Sequence, residues 1–351
     1  MLGTGEGGNE RYIENLSLAL IEQKNLVTNI YANGNYQIPG ESLKKFFIIK
    51  KRTGNVARIL FSLPKLAKSI HTDIIHATYV GPVFGSSKLI LTVHDFAFKR
   101  FPDFFSVREK MIFNCLLPIS MNRAAAIVVP SKFIKKELAH YYPQHTKKTF
   151  VTHEAATKNI RAISKKTAQK RVMKKFGIKS QYLLTLNSRY DKRNINRVID
   201  AYIQIKPNFP DLQLVILGGK HNIRTKIKRT NIKIISDVSD EDLSYLYSAA
   251  EVLIYYSLYE GFGLPILEAF KCKTPVIVSD IPVHREVAGK AAIFADPYNS
   301  DNLAKAIGAL VKSPKKIKTM SEKGCQKTLE YSWQKTAKET IKAYEFALKN
   351  G

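Results

Sequence analysis

Short apolar runs, four to six residues long, recur along the chain, and between them apolar residues fall three or four apart. The first pattern suits strands buried on both faces, and the second suits amphipathic helices laid over them. In the first half the runs Thr28–Tyr31, Phe46–Ile49, Asp73–Ala77, Lys88–Val93, Ala125–Val129 and Thr149–Thr152 predict strands. The second half supplies Tyr182–Leu186, Gln213–Leu217, Ile232–Ile235, Val252–Tyr255, Pro275–Val278 and Ala292–Phe294. Strands that alternate with helices in this way predict doubly wound α/β units on parallel sheets. A polar, basic stretch from about Thr157 to Ser180, with one helix around Lys166–Lys175, separates the two sets and reads as a linker. At the end, Trp333–Leu348 predicts a single amphipathic helix.

Composition sharpens this picture. A chain of 351 residues exceeds one ordinary core and points to two domains, and 45% hydrophobic content argues against disorder. No apolar run reaches the ~18 residues that a membrane span needs. The start, Met-Leu-Gly-Thr-Gly-Glu-Gly-Gly, lacks the basic and apolar stretches of a signal peptide, so the chain reads as cytoplasmic. Cys115, Cys272 and Cys325 are odd in number and far apart, which predicts neither a disulfide framework nor a metal site.

Charge adds a second consideration. Lys plus Arg number 56 against 29 Asp plus Glu, a formal net charge of +27. From Lys132 to Arg193 there are seventeen basic residues and three acidic ones, Glu137, Glu154 and Asp191. The block carries no zinc-finger, helix-turn-helix or RNA-recognition signature, so nucleic acid is a poor partner for it. An anionic membrane surface suits it better, at roughly 1 kcal/mol per basic residue near the lipid. A lysine-rich surface that merely solubilises the fold accounts for it equally well.

The most informative stretch is Glu260-Gly-Phe-Gly-Leu-Pro-Ile-Leu-Glu268. It follows the predicted strand Val252–Tyr255 and turns through Gly261, Phe262, Gly263 and Leu264 into a helix that Pro265 suits at its first turn. Glycines let the backbone come close to a ligand, and the free amides of a helix start attract an anion. A phosphate on those amides with a carboxylate on either side is the chemistry of a nucleotide-sugar site. Ser188-Arg-Tyr-Asp-Lys-Arg-Asn194 follows the first strand of the second half, and Arg189, Lys192 and Arg193 there are cations able to reach a diphosphate. His94, at the carboxyl end of Lys88–Val93, is placed to hydrogen-bond a sugar hydroxyl or a carboxylate; His76 and His284 carry weaker signals.

Tyr256–Phe270 resembles the paired-glutamate motif of retaining glycosyltransferases, in particular the large family four, and Thr274–Gly289 is a second specific match. The resemblance runs over almost the whole chain and implies a GT-B fold: two facing Rossmann-like doubly wound domains and a C-terminal helix that crosses back to the first. It implies an acceptor domain over 1–160, a nucleotide-sugar domain over 161–332 and the returning helix over 333–351. It further implies transfer of a mannose- or glucose-type hexose from a nucleoside diphosphate sugar, with retention, to a glycan or lipid-linked acceptor in cell-surface polysaccharide synthesis. No metal and no cofactor beyond the donor are expected, and the enzyme would sit peripherally on the inner face of the membrane. Glu260, His94 and Arg193 are the implied catalytic residues. Arg189, Lys192, Gly261, Phe262, Gly263, Leu264 and Glu268 are the implied donor ligands, with Gly7 and Gly8 of a first glycine loop beside them. The strand that should precede this loop has only Met1 and Leu2 to draw on, so either the start given is late or the first sheet lacks a strand. Lys273 stands where a glycine usually ends the Glu268 helix, and a left-handed backbone there would cost about 1 kcal/mol. A rival reading from the charge is a non-catalytic protein that binds nucleic acid or an anionic surface on the same scaffold.

Overall fold

The computed structural model of the protein describes residues 7–350 apart from 34–35, 39, 51–57 and 225–230. Twelve strands lie among the described residues, each within two residues of its predicted run. They are β1 Ile30–Asn33, β2 Phe47–Lys50, β3 Ile74–Thr78, β4 Lys88–Thr92, β5 Ala126–Val129 and β6 Thr149–Val151, then β7 Tyr182–Leu186, β8 Gln213–Leu217, β9 Ile232–Ile235, β10 Val252–Tyr255, β11 Val276–Ser279 and β12 Ile293–Ala295. The chain divides into two compact units, one of Met1–Glu154 with Ser332–Gly351, the other of Ala155–Tyr331.

The second unit is built on one six-stranded sheet in the order β12-β11-β10-β7-β8-β9, parallel throughout. Its central strands are buried at nearly every position because helices cover both faces. On one face, alternate residues such as Leu214, Ile216, Val252 and Ile254 pack with Val198, Tyr202, Leu303 and Ile307 from the helices Ile195–Ile205 and Ser300–Val311. The chain runs β7-β8-β9 to one side and then returns to place β10 on the other side of β7. Connections therefore diverge above the carboxyl ends of β7 and β10, which opens a crevice where this architecture binds ligands.

The first unit is built differently. Strands β3-β4-β5-β6 form one parallel sheet, and β1 and β2 form a separate parallel pair. Residues 1–6, on which the expectation of a missing strand bears, lie outside the described residues. Apolar β3 is only half-buried along its whole length, whereas β5 is fully buried. The helix Gly7–Ile21 and the terminal helix Trp333–Asn350 both belong to this unit. The terminal helix buries Trp333, Ala337, Thr340, Tyr344 and Ala347, spaced to form one stripe, and its Thr336 hydroxyl donates to the His153 carbonyl at 2.6 Å. No helix among the described residues is long and apolar enough to cross a membrane.

Candidate active site

Both loops at the crevice of the second unit carry charged residues. After β7 the chain makes the short turn Asp191–Arg193 and enters the helix Ile195–Ile205 through Asn194, whose backbone is left-handed at φ 57°. Asparagine tolerates that conformation, and its side-chain amide here donates to the Pro297 carbonyl at 2.7 Å. After β10 the chain passes Ser257 and Glu260 and reaches Gly263, with φ 111°, before the helix Leu264–Lys271. A side chain at Gly263 would be strained by that φ and would crowd Ile266 at 3.1 Å. The helix starts at Leu264, with Pro265 in its first turn as expected.

The two loops meet. The Leu258 amide donates to the Lys192 carbonyl at 2.8 Å, which brings the Lys192 and Arg193 side chains to Glu260. Arg193 Nη1 lies 2.8 Å from Glu260 Oε1, and Lys192 Nζ lies 3.7 Å from Oε2. The Arg193 contact is a close charge pair without hydrogen-bond alignment, since Oε1 finds no aligned donor. Arg193 also stacks over the Tyr255 ring at 4.7 Å and reaches Ser257 Oγ at 3.4 Å. Burial alone would keep Glu260 protonated, but Arg193 and then Lys192 outweigh it and hold the carboxyl down at about 2. The Arg193 guanidinium, for which burial disfavours the charge, is held protonated by Glu260. The carboxylate thus fixes two cations beside a left-handed glycine turn.

Histidine 284 completes this corner. It is fully buried in the helix Pro282–Ala288, and its Nδ1 faces Ser279 Oγ at 3.0 Å and the Ser279 carbonyl at 3.1 Å. Its Nε2 is buried without a protein partner, and its ring lies 3.7 Å from where a side chain on Gly263 would point. Burial lowers its pKa to about 4, despite the pull of Glu260, so the ring is neutral near pH 7. The sequence marked His284 only weakly. Its position two residues into a helix after β11 was the available signal.

The other expected donor residues divide. Gly261, Phe262, Gly263 and Leu264 form the turn itself, and Phe262 is buried against the Tyr331 ring at 5.8 Å. Arg189 is exposed and lies over Tyr190 at 4.5 Å, in a loop tied down by Asn222, whose amide donates to the Arg189 carbonyl at 2.9 Å. Glu268 is wholly buried. It accepts from Thr157 Oγ1 at 2.6 Å and from the Tyr247 hydroxyl at 3.2 Å. Glu268 is wholly covered by its surroundings, so it is first a tie between its helix and the segment around Thr157. Lys273 is left-handed, with φ 61°, as its place after the helix suggested.

In the first unit His94 follows β4, and its Nδ1 lies 3.2 Å from Glu154 Oε1. Its Nε2 is buried without a protein partner, and its ring meets Tyr12 edge-on at 4.6 Å. A hydrogen-bond chain runs beside it. Tyr344 OH meets His76 Nδ1 at 2.7 Å, His76 Nε2 meets Thr92 Oγ1 at 2.7 Å, and Thr92 meets Tyr12 OH at 2.9 Å. Burial, and then the nearby His94, push the His76 pKa down to about 3, so this chain is uncharged near neutrality. Gly7 and Gly8 open the helix Gly7–Ile21, and a side chain built at Gly8 would meet nothing within 4 Å. The protein itself does not require glycine there. Gly3 and Gly5 of the same loop lie outside the described residues.

The basic block is shared between the two units. Several members are spent internally. Lys148 donates to the Met121 and Ala124 carbonyls at 2.8 and 2.6 Å, Lys165 pairs with Glu251 at 2.7 Å, and Lys175 pairs with Asp242 at 2.5 Å. Lys166, Lys170 and Lys174 remain exposed along the helix Lys165–Phe176.

Comparison with known proteins agrees with this geometry. Residues 167–327 match the family model described as glycosyl transferases group 1, and residues 6–154 match that of glycosyltransferase family 4. The O-antigen chain mannosyltransferase B of Escherichia coli is 26% identical over 76% of this chain and 74% of its own length. The O-antigen chain mannosyltransferase RfbU of Salmonella typhimurium is 29% identical over 65% of this chain and 62% of its own. Among solved structures, Anabaena Alr3699/HepE in complex with UDP and glucose superposes with a TM-score of 0.76 at 14% identity, covering 97% of each chain. At that identity the likeness concerns the fold.

Proposed function

Because the chain belongs to the group 1 glycosyltransferases of GT-B fold, we propose that it moves a hexose from a nucleoside diphosphate sugar to a glycan or lipid-linked acceptor in cell-surface polysaccharide synthesis. The observation that carries this reading is the cluster of Lys192, Arg193 and Glu260 beside the Gly263 turn, at the crevice of the parallel sheet. The names of the bacterial relatives favour mannose, and the UDP held by the Anabaena protein favours a nucleotide donor.

In this reading the donor diphosphate lies against the amides from Gly261 to Leu264, and Lys192 and Arg193 take up the negative charge that grows on it as the glycosidic bond breaks. Fixed charges aimed at a leaving group are commonly the largest catalytic contribution. Glu260, ionised under working conditions, holds both cations in place and orients the sugar. His284 Nε2 offers a neutral polar contact at the same corner. His94, oriented by Glu154, would meet a hydroxyl of the sugar or the acceptor. Retention would follow attack from the face that the diphosphate leaves, with no protein nucleophile and no metal. Glu268 would bind ribose only if the groups that cover it moved aside.

The exposed lysines of the helix Lys165–Phe176 and the net charge of +27 support peripheral attachment to an anionic membrane. Vesicle flotation tests this: binding to anionic vesicles should fall at high salt, and equal binding to neutral vesicles would remove the argument. The main reading is tested by a panel of UDP- and GDP-sugars, assayed for slow hydrolysis and for transfer to lipid-linked glycan. Salt-sensitive binding to nucleic acid with no turnover of any donor would favour the non-catalytic alternative.

A further inference from the structure

Tyr79 is the first residue after β3, and its backbone is left-handed at φ 57°. A bulky side chain makes that conformation an outlier. The Val80 amide donates to the Thr78 carbonyl at 2.7 Å, so Tyr79 stands at the centre of a three-residue γ-turn. With a positive φ at its centre this is the strained form of that turn. Its surroundings hold it there from two sides. The Tyr79 amide donates to the Thr92 carbonyl at 2.8 Å, which carries the pairing of β3 with β4 one residue past Thr78. The Tyr79 ring meets Phe113 at 5.4 Å, and Phe113 in turn stacks on Phe98 at 5.0 Å and meets Phe105 edge-on at 6.0 Å. Phe113 lies in the π-type turn Ile112–Leu116. Two irregular pieces of backbone thus converge on one tyrosine ring. Strain of this kind persists where the structure over-determines it, and it gathers at functional sites, as π-type turns do.

The turn aims the ring at His94, whose centroid lies 5.6 Å away with the planes tilted by 53°. Its hydroxyl reaches the neighbouring Asp95. Burial, and then the charge of Asp95, raise the pKa of that hydroxyl well above its ordinary value, so it stays protonated and able to donate. One side chain therefore touches both residues of the pair His94-Asp95 that follows β4. On its other contacts His94 meets Glu154 through Nδ1 at 3.2 Å and the Tyr12 ring edge-on at 4.6 Å, and its Nε2 has no protein partner. A bond at Nδ1 alone leaves an imidazole free to pivot, and two tyrosine rings set against it at 85° and 53° take up that freedom. We propose that Tyr79 is a positioning residue for hexose transfer, which fixes the His94 ring so that its Nε2 meets a hydroxyl of the sugar or the acceptor. This role rests on the transfer reaction proposed above. Positioning of this kind weighs heavily on rate, since a displacement of about 1 Å costs on the order of a hundred-fold.

The test is a double-mutant cycle between Tyr79 and His94, with transfer followed from the sugar nucleotide that the donor panel selects to octyl hexosides. Tyr79→Leu keeps apolar bulk but loses the aromatic contact and the hydroxyl. Its kcat should fall roughly ten- to a hundred-fold, while the donor KM and nucleotide affinity change by less than about three-fold. Tyr79→Phe, which keeps the ring, should recover most of that loss. In a His94→Ala background Tyr79→Leu should cost nothing further, because residues that act as a unit are not additive. An equal loss with and without His94 would mark a structural tyrosine and overturn the proposal, as would a Tyr79→Leu enzyme with the parent kcat. Should Tyr79→Leu not fold, Tyr79→Asn takes its place in the same cycle, since asparagine tolerates the left-handed backbone. If no donor is turned over, the glycosyltransferase reading fails and a second measurement decides this one. In nitrogen-15 labelled protein the His94 ring signals should shift between the parent and Tyr79→Leu or Tyr79→Asn, and be largely restored in Tyr79→Phe. Identical His94 signals in all of them would overturn the proposal.

Discussion

The two units handle buried polar groups in opposite ways. In the second, Glu260 is ionised between Lys192 and Arg193 at the crevice of an unbroken six-stranded sheet. In the first, Tyr344, His76, Thr92 and Tyr12 form an uncharged hydrogen-bond chain beside a sheet in two pieces. Buried charge is tolerated only where its partners are fixed, and a continuous covered sheet fixes them. In the first unit the neutral chain stands beside one buried carboxylate, Glu154, which His94 meets at 3.2 Å. On the proposed function, the charge of the donor falls to the second unit, and the first offers the neutral chain together with the His94–Glu154 pair.

The largest effect should come from removing the charge at the centre of the second unit. Glu260→Gln keeps the shape but not the charge, and transfer should fall roughly a hundred- to a thousand-fold, as read from kcat with folding checked by circular dichroism. A loss of under three-fold would mean that the carboxylate is a structural tie only.

Glu268→Ala sharpens the contrast between that carboxylate and its neighbour. It leaves the Thr157 and Tyr247 hydroxyls without their acceptor, so the second unit should lose about 2–3 kcal/mol of stability. Denaturant unfolding measures this, and Glu268→Gln should recover part of the loss. Unchanged stability with weakened donor binding would restore a direct ribose contact.

Acid should separate the ionised groups from the neutral ones. His284 has its pKa lowered to about 4 from an ordinary 6.5, so between those values the unfolded chain binds the extra proton. Stability from its burial is therefore complete above pH 6.5 and is lost as pH falls toward 4, by about 2–3 kcal/mol. His76, lowered to about 3, acts in the same direction. Glu260, also depressed, adds its own loss only below about 4.5, as pH falls toward its value of about 2. Urea midpoints from pH 7 to 4.5 should fall, and His284→Asn should flatten the slope. An unchanged slope would show that the ring is already accessible to protons.

The smallest effect concerns Lys273. At φ 61° a glycine is unstrained, so Lys273→Gly should stabilise the second unit by about 1 kcal/mol despite the added chain entropy. A destabilised variant would show that the lysine side chain makes a compensating contact.

These outcomes also bear on what the sequence could reveal. Runs such as Val252–Tyr255 announce buried parallel strands because helices must cover both faces, and the glycine turn before Leu264 was legible because Gly263 takes a left-handed backbone that glycine suits. Lys273 was legible for the same local reason. The tie from Glu268 to Thr157 was not, since its partner lies 111 residues away and only the folded sheet brings the two together. His284 was marked weakly because a lone histidine in a helix is usually packing. The π-type turns at Arg58–Ser62 and Ile112–Leu116 left no pattern that distinguishes them from ordinary helix. The division of the first unit's described strands into a four-stranded sheet and the β1–β2 pair was not legible, because sheet order is a non-local property.

The central claim is that Lys192 and Arg193 await a nucleoside diphosphate. Titration calorimetry with UDP, GDP and their hexose conjugates, on the parent and on Lys192→Ala and Arg193→Ala, tests it most directly. At least one nucleotide should bind the parent, and each variant should bind it ten-fold or more weakly while still melting cooperatively, since a charge-assisted contact is worth roughly 1.5 to 3 kcal/mol. Binding of equal strength in the parent and both variants would contradict the account, as would a parent that binds none of them.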